Sequence, residues 1–444
     1  MKRMITDKLI AWKDSSTRKP LLVTGVRQCG KTYSILEFGK TYFDDVLYLN
    51  FEEHPGYASF FSFDLDVNRI LGELESEVFG KKVTPGKTLL FLDEIQKCPQ
   101  AVTSLKYFCE NRPDLYVICA ASLLKTELQR RAVSFPVGKV SRLRMYPMNF
   151  MEFLFAAGSE QQVQELNRAA INQQLSEDCS DLLKKQLNDY FIVGGMPAAV
   201  NCWMNEQSYE KVTQIQRDIL AGYEDDFFRY APLNEAEKIS WIYHSIPVQL
   251  AKDNNKFVFS HVKEGKRASE LENALQWIID AGLAYTLELA GSPELPLSLH
   301  KDASYFKVYL SDVGLLHVLS GLDYHVILEQ QAGPGYKGAM TENYVMTELL
   351  SQGKNPYFWR SGNTAEVDFI LEDRNHIIPL EVKAESNTMA KSYRRYCDLY
   401  HPAFGFKCSM KNVGEHMILD TRTYSIPLYL MWKLDQYIAL EERK

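Results

Sequence analysis

The stretch LLVTGVRQCGKT (residues 21–32) joins an apolar run to the pattern Gly-x-x-x-x-Gly-Lys-Thr. The run LLVT is typical of a buried strand, and KTYSILEF after the glycines has helical spacing. Between a strand and a helix, this pattern forms a loop whose backbone N–H groups bind phosphates, and Gly25 and Gly30 allow its tight curl. Lys31 would reach the β- and γ-phosphates, and the Thr32 hydroxyl would bind Mg²⁺. The stretch therefore predicts a site for ATP and Mg²⁺.

A second apolar run, TLLFLDE (residues 88–94), ends in two acids. Alone, an Asp-Glu pair after a strand also fits a solvated turn. Paired with the phosphate loop, it is typical of the acidic strand end of an ATPase. Asp93 would hold Mg²⁺ through water, and Glu94 would orient and deprotonate the attacking water. We therefore expect ATP hydrolysis as well as ATP binding.

The first third of the chain alternates apolar runs of strand length with helical patterns. The runs are LLVT (21–24), VLYLNF (46–51), TLLFLDE (88–94) and YVICAAS (116–122). Continuous apolar strands suit a parallel sheet that helices cover on both faces. This βαβ series predicts an α/β fold, with a doubly wound P-loop domain at the N-terminus.

Composition excludes several classes of protein. The 444 residues are 46% hydrophobic and 24% charged, as in globular proteins, and their length predicts two to four domains. The net charge of −7 argues against coating of nucleic acid by bulk charge. We find no signal peptide and no run near the about 18 apolar residues of a membrane span. The eight cysteines contain no Cys-x-x-Cys pair, so we expect reduced thiols, a cytoplasmic location and no membrane partner.

The middle of the chain changes to helical patterns. After residue 230 the order is a helix (EAEKISWIYHSIPVQLA), a short strand (FVFS), a helix (SELENALQWIIDAG) and a β run (LAYTLELA). That order is typical of a winged-helix unit. We predict four domains: an ATPase domain (1–155), a helical connector (156–230), a winged-helix domain (231–330) and a C-terminal α/β domain (331–444).

Basic residues begin the second helix of the predicted winged-helix unit. Arg267 lies at the helix start, with Lys263 and Lys266 just before it. At that place they would contact DNA phosphates as the helix enters a major groove. They also fit a solvated loop on a module that contacts proteins. The sequence leaves both DNA and a protein partner open.

The C-terminal section carries four residues of catalytic type. Glu342 lies on a predicted helix, Asp368 on a strand, and Glu381 and Lys383 on the next strand. Residues two apart on a strand share a face, so Glu381 and Lys383 can converge. The acids would hold Mg²⁺, above all Asp368 and Glu381, while the lysine steadies a water or the charge on a phosphate. The alternative is an ordinary α/β unit with polar strand ends.

These motifs together resemble the prokaryotic AAA+ ATPases that are fused to a C-terminal domain of unknown function. The resemblance rests on LLVTGVRQCGKT, YLNFE, FLDEIQKCP, SFPVGK, GGMPAAV and TENYVMTELL, and it covers nearly the whole chain. It implies an ATPase core, a winged-helix middle and a tail similar to PD-(D/E)XK nucleases, with Glu342, Asp368, Glu381 and Lys383 as the matching set.

The resemblance also implies a polar sensor for the γ-phosphate, and Ser122 matches it, with Ala121 in place of the usual glycine. Lys139 stands where many relatives carry arginine. No arginine finger is therefore identified, and the candidates are Arg130, Arg131, Arg142 and Arg144.

We expect an ATP-dependent AAA+-like ATPase whose tail acts on DNA. One alternative is a nucleotide-dependent switch that binds a protein and carries an inactive nuclease-like domain. Another is a DNA-binding scaffold with negligible ATP turnover. The oligomeric state stays open between a ring, a dimer and a monomer.

Overall fold

The chain forms two compact units in the computed structural model. The first unit contains residues 1–147, 229–232 and 280–283, and the second contains 148–228, 233–279 and 284–444. The structure describes residues 1–124, 135–232, 234–252, 254–362, 365–384 and 391–442.

The first unit alternates strands and helices. Its strands are β1 (Leu21–Thr24), β2 (Asp45–Asn50), β3 (Thr88–Asp93), β4 (Tyr116–Ala121) and β5 (Ser141–Arg144). Its helices are α1 (Ile5–Asp14), α2 (Lys31–Tyr42), α3 (Val67–Leu74) and α4 (Pro99–Asn111).

The strands of the first unit make one parallel sheet in the order β2-β3-β4-β1-β5. Every residue of β3 is buried, because helices pack against both faces of the strand. Each fully buried Leu or Phe in such a strand contributes about 1.5–3 kcal/mol. The predicted α/β fold with a parallel sheet is confirmed, and each of the four predicted strands begins and ends within one residue of the observed one.

Helices make up the first half of the second unit. They are α5 (Phe150–Ala156), α6 (Glu160–Arg168), α7 (Glu177–Val193), α8 (Pro197–Glu206), α9 (Tyr209–Tyr230), α10 (Ala236–Leu250) and α11 (Ala268–Asp280). A capping box begins α5: Asn149 accepts a hydrogen bond from the Glu152 backbone at 2.9 Å, and Glu152 accepts one from the Asn149 backbone at 3.1 Å.

A mixed sheet fills the rest of the second unit. The strands β6 (Ala284–Ala290) and β7 (Lys301–Leu310) form a hairpin, followed by α12 (Val313–Leu319) and α13 (Tyr324–Leu328). The remaining elements are α14 (Pro334–Ser351), β8 (Tyr357–Ser361), β9 (Ala365–Asp373), β10 (His376–Val382), α15 (Lys391–Tyr400), β11 (Phe404–Ser409), β12 (Gly414–Ile418), β13 (Thr421–Pro427) and α16 (Leu434–Glu441).

The sheet order in the second unit is β12-β13-β11-β10-β9-β8-β6-β7. The neighbouring strands β8 and β9 are antiparallel, as are β9 and β10. Helix α15 then connects β10 to β11, which is parallel to β10. The predicted helix with Glu342 and the two predicted strands with Asp368 and Glu381 occur as α14, β9 and β10.

One local prediction is wrong: residues 257–260 (FVFS) form no strand. The Phe257 amide donates to the Phe306 carbonyl at 2.9 Å, but no ladder extends from this bond, and a 3₁₀ turn, Phe259–His261, follows directly. In the part of the chain that the structure describes, no helix has both the length and the apolar character to cross a lipid bilayer.

Candidate nucleotide site and carboxylate cluster

The phosphate loop connects β1 to α2. Gly30 caps α2 with a φ of +95°, a left-handed conformation that glycine adopts without strain. The Lys31 ammonium donates hydrogen bonds of 3.0 Å to the carbonyls of Gly25 and of Val26, so the lysine folds back over its own loop. A Cβ atom on Gly25 would lie 2.2 Å from the Met145 carbonyl oxygen, so packing against the end of β5 requires a glycine there. The structure thus brings Gly25, Gly30 and Lys31 together as predicted.

Thr32 and Asp93 meet beside this loop. The Thr32 hydroxyl donates to Asp93 Oδ2 at 2.8 Å, and the Tyr48 hydroxyl donates to the same oxygen at 3.0 Å. Burial raises the pKa of Asp93, while these hydrogen bonds lower it. Burial and the Asp93 charge raise the pKa of Tyr48 to about 12. A hydroxyl beside a carboxylate offers the hard oxygen ligands that Mg²⁺ prefers, so this pair fits the ion.

Sequence reasoning missed Tyr48 as a partner of Asp93. It lies on β2, which pairs with β3 so that Asn50 is opposite Asp93. The Asn50 side chain donates to the Tyr48 hydroxyl at 3.1 Å. The sequence signal that could have identified Tyr48 was the presence of polar residues at the carboxyl end of an otherwise apolar strand.

Glu94 follows β3 in a left-handed conformation, with φ +50° and ψ +42°. That conformation is uncommon for a residue with a side chain and costs on the order of 1–3 kcal/mol. Gln96 donates a short hydrogen bond to the Glu94 carboxylate. Burial raises the pKa of Glu94, and the nearby Lys31 charge lowers it. A buried, hydrogen-bonded glutamate at this strand end has the surroundings of a general base.

Ser122 follows β4, the strand between β1 and β3 in the sheet. Because the strands are parallel, this order places Ser122 between the phosphate loop and the acidic strand end. Its Oγ is buried and has no hydrogen-bond partner within the described part of the chain. Ser122 and Glu94 line one small cleft together with Arg27 and Lys97. An unsatisfied buried hydroxyl in a cleft of charged groups is a place for a phosphate oxygen or a water.

Basic residues near this cleft are held by other groups. Lys97 donates to the Tyr230 hydroxyl at 2.8 Å, and Lys139 pairs with Glu110 at 2.8 Å. Arg142 stacks on the Phe135 ring at 4.3 Å. The finger candidates Arg130 and Arg131 lie outside the described residues. The structure therefore singles out no arginine finger among the residues that it describes.

The four residues predicted in the tail lie on the elements expected of them. Glu342 is on α14, Asp368 on β9 and Glu381 on β10, and Lys383 follows β10 directly. The Lys383 ammonium lies 2.7 Å from Glu381 Oε1. The Val382 amide donates to Asp368 Oδ2 at 2.7 Å, which fixes Asp368 against the end of β10.

Crowded carboxylates explain the electrostatics of this cluster. Burial raises the pKa of Asp368 well above its ordinary value, and the Glu381 and Glu342 charges raise it further. Burial also raises the pKa of Glu381, while Lys383 lowers it. Glu381 Oε2 is buried and has no hydrogen-bond partner among the residues that the structure describes, which leaves one oxygen for a ligand. Asp368 and Glu381 thus fit a hard cation such as Mg²⁺.

Four other residues complete the cluster and were not predicted. Lys307 and Tyr309 reach it from β7, Glu366 from β9, and Lys407 from β11, where it pairs in register with Glu381. Burial lowers the pKa of Lys407. Over the described ranges, no three His, Cys, Asp or Glu side chains are grouped so that they could hold a metal ion.

The basic residues before α11 already have neighbours. Lys266 pairs with Glu270 at 2.8 Å, and Glu270 also accepts a hydrogen bond from the Arg267 amide at 3.0 Å. The Lys263 ammonium lies 5.0 Å from the centre of the Trp241 ring. Glu270 therefore offsets part of the basic charge at this helix start.

Three family models match separate parts of the chain. One described as an AAA domain matches residues 17–154. Two described as domains of unknown function, DUF8612 and DUF4143, match residues 184–325 and 337–430.

Curated relatives match over a short stretch. Uncharacterized proteins of Mycobacterium bovis and Mycobacterium tuberculosis are each 34% identical over 91 residues. The match covers 20% of this chain and 20% of each relative, so the chain spans about a fifth of their length.

Solved structures align over more of the chain at low identity. A Walker-type ATPase of Pyrococcus abyssi aligns with 72% of this chain and 95% of its own, at 14% identity and a TM-score of 0.45. The ORC2 protein of Aeropyrum pernix aligns with 74% and 92%, at 12% identity and a TM-score of 0.36. The family match and the geometry of the phosphate loop together show that residues 17–154 are similar to an AAA domain and contain a nucleotide-binding loop of the Walker type.

Proposed function

We propose that this chain hydrolyses ATP in the presence of Mg²⁺ at the carboxyl edge of the parallel sheet. One observation carries the proposal: five polar side chains meet at one edge of the sheet. Lys31 and Thr32 begin the helix that follows β1, and Asp93, Glu94 and Ser122 lie at or just after the ends of β3 and β4, in the strand order β3-β4-β1. This edge is where open α/β sheets bind ligands.

Each side chain has a distinct role in this proposal. Lys31 exchanges the Gly25 and Val26 carbonyls for oxygens of the β- and γ-phosphates. Thr32 and Asp93 hold Mg²⁺, which when bound neutralises charge on the phosphates.

The other two side chains act on water and on the γ-phosphate. Glu94 orients a water molecule and accepts its proton, for which its raised pKa suits it. The Ser122 hydroxyl donates its unused hydrogen bond to the γ-phosphate or to that water.

The test compares Lys31→Ala with Lys40→Ala. Lys40 lies in the last turn of the same helix, where it is exposed and pairs with Glu37, so it controls for a lost lysine on α2. ATP binding and phosphate release should be lost in Lys31→Ala and retained in Lys40→Ala. Equal turnover in the two variants would refute the proposal.

The second unit supports a further proposal: a winged-helix region over residues 231–330 and a PD-(D/E)XK nuclease-like domain over 331–444 that acts on DNA. The support is the order helix, three antiparallel strands, helix and parallel strand from α14 to β11, with Asp368, Glu381 and Lys383 close together. The residues at the strand ends would hold Mg²⁺ and place a water against a phosphodiester.

Cleavage of plasmid and branched DNA with Mg²⁺ or Mn²⁺ tests this second proposal. Wild type should cut, and Glu381→Ala should not. Absence of cutting by wild type, with ATP turnover intact, would favour the alternative of a nucleotide-dependent switch that binds a protein and carries an inactive nuclease-like domain.

A further inference from the structure

One oxygen of the Glu342 carboxylate, Oε2, is engaged by neutral and basic donors. Its Oε2 atom accepts hydrogen bonds from the Asn255 amide at 2.7 Å and from the Tyr309 hydroxyl at 2.7 Å. The Lys307 ammonium lies 3.4 Å from the same oxygen. A carboxylate oxygen has two lone pairs, so three donors leave this one no capacity for another ligand.

Lys307 is a fixed cation in the interior of the second unit. Its side chain is 0% exposed, and its ammonium also lies 2.6 Å from Glu366 Oε1. The Glu342 and Glu366 carboxylates that contact this ammonium compensate its charge. A buried lysine of this kind is stable only because carboxylates surround it.

The four acids of the cluster therefore divide into two pairs. Glu342 and Glu366 share Lys307, and Arg360 lies 4.0 Å from Glu366. The negative charge of this pair is therefore compensated by basic side chains of the protein itself. Asp368 and Glu381 differ, because their nearest basic partner, Lys383, has a side chain that is 36% exposed and can leave.

Lys407 lies opposite Glu381 on β11, but its ammonium lies over the Tyr393 ring, 5.5 Å from the ring centre. Only the Asp368–Glu381 pair therefore has a deficit that a cation from solution can fill.

We propose that Lys307 is the resident cation of this cluster, that it holds Glu342 away from any metal ion, and that the cluster takes a single divalent cation, between Asp368 and Glu381. This inference rests on the proposed nuclease-like function of the second unit. It makes Lys307 a positioning residue, which supplies next to Glu342 the charge that a second metal ion would supply. The unpartnered Oε2 of Glu381 is the oxygen that the cation would use.

Mn²⁺ binding tests the inference without an activity assay. The full chain is titrated with Mn²⁺ in the absence of nucleotide, and free Mn²⁺ is followed by electron paramagnetic resonance. An Asp93→Asn variant identifies any Mn²⁺ that the phosphate loop binds. Wild type should bind one Mn²⁺ that is insensitive to Asp93→Asn.

Two isosteric variants decide which acid is the ligand. Glu381→Gln should lower the affinity for that Mn²⁺ by more than about tenfold, as loss of a metal ligand does. Glu342→Gln should change the Mn²⁺ affinity by less than about twofold. The glutamine amide oxygen keeps the hydrogen bonds from Asn255 and Tyr309, and no bond to the metal is lost. Neither variant removes Lys307 from its pocket or opens a cavity.

Two results would overturn the inference: a large loss of Mn²⁺ affinity in Glu342→Gln, or no Mn²⁺ bound by wild type outside the phosphate loop. The DNA-cleavage assay tests the nuclease proposal independently of Mn²⁺ binding. If wild type binds Mn²⁺ as described but cuts no DNA, the nuclease proposal falls and the single-cation site stands.

Discussion

Glu348 provides a quantitative test of the packing in the second unit. It lies on α14 with a side chain that is buried to 1% exposure. Its Oε1 accepts a hydrogen bond from the Phe150 amide at 2.8 Å, and its Oε2 has no hydrogen-bond partner in the described residues. Burial raises the pKa of Glu348 from 4.5 to about 7, and the Glu152 charge adds to the effect. The perturbation that we propose is Glu348→Gln.

The direction in which stability changes with pH follows from proton uptake by Glu348. Between pH 4.5 and about 7 the folded protein holds a proton on Glu348 that the unfolded chain has lost, so stability falls as pH rises through this range. At about 1.36 kcal/mol per pH unit, the full cost is about 3 kcal/mol at pH 8 and about 1 kcal/mol at pH 5. Glutamine keeps the acceptor for Phe150 and carries no charge, so it avoids this cost.

We therefore expect Glu348→Gln to be more stable than wild type by about 3 kcal/mol at pH 8, with a gap that shrinks to about 1 kcal/mol at pH 5. Urea unfolding followed by tryptophan fluorescence measures both values. Glu272→Gln, on the exposed face of α11, is the control and should show no such trend. A gap that stays constant with pH, or a variant that is less stable at pH 8, would refute the reasoning.

Three further predictions concern single residues. Gly195→Ala would place a methyl group 1.9 Å from the Met148 carbonyl oxygen and should lower the unfolding midpoint sharply, whereas Gly56→Ala, with nothing within 4 Å of its added Cβ, should not. Glu94→Gln should retain ATP but lose turnover by on the order of 10²- to 10⁴-fold, as single-turnover phosphate release would show. Ser122→Ala should lower turnover by on the order of 10²-fold with little change in ATP affinity by fluorescence titration. An unchanged turnover in either variant would remove that residue from the mechanism.

Local sequence signals were sufficient for the ATPase core. The runs LLVT and TLLFLD are continuous, apolar and buried on both faces, so their length alone marks β1 and β3. The phosphate loop needs only short-range geometry, which is why Gly30, Lys31 and Thr32 could be assigned without a structure.

Long-range pairing explains what the sequence did not reveal. The edge strand β5 is short and half exposed. In β11, β12 and β13 the spacing of the apolar residues does not distinguish a strand from a helix. Lys307 lies in an ordinary strand pattern, YFKVYL, and only the pairing of β7 with β6 brings it to acids on α14 and β9. A buried lysine cannot be distinguished from a surface one until its partners are located.

Nucleotide turnover by the purified chain tests the central claim most directly. Phosphate release from ATP is measured with Mg²⁺ and with EDTA, for wild type, Glu94→Gln and Lys40→Ala. The account predicts Mg²⁺-dependent release by wild type and Lys40→Ala, and ATP binding without release by Glu94→Gln. Release that persists in Glu94→Gln or in EDTA, or wild type that binds no ATP, would contradict the account.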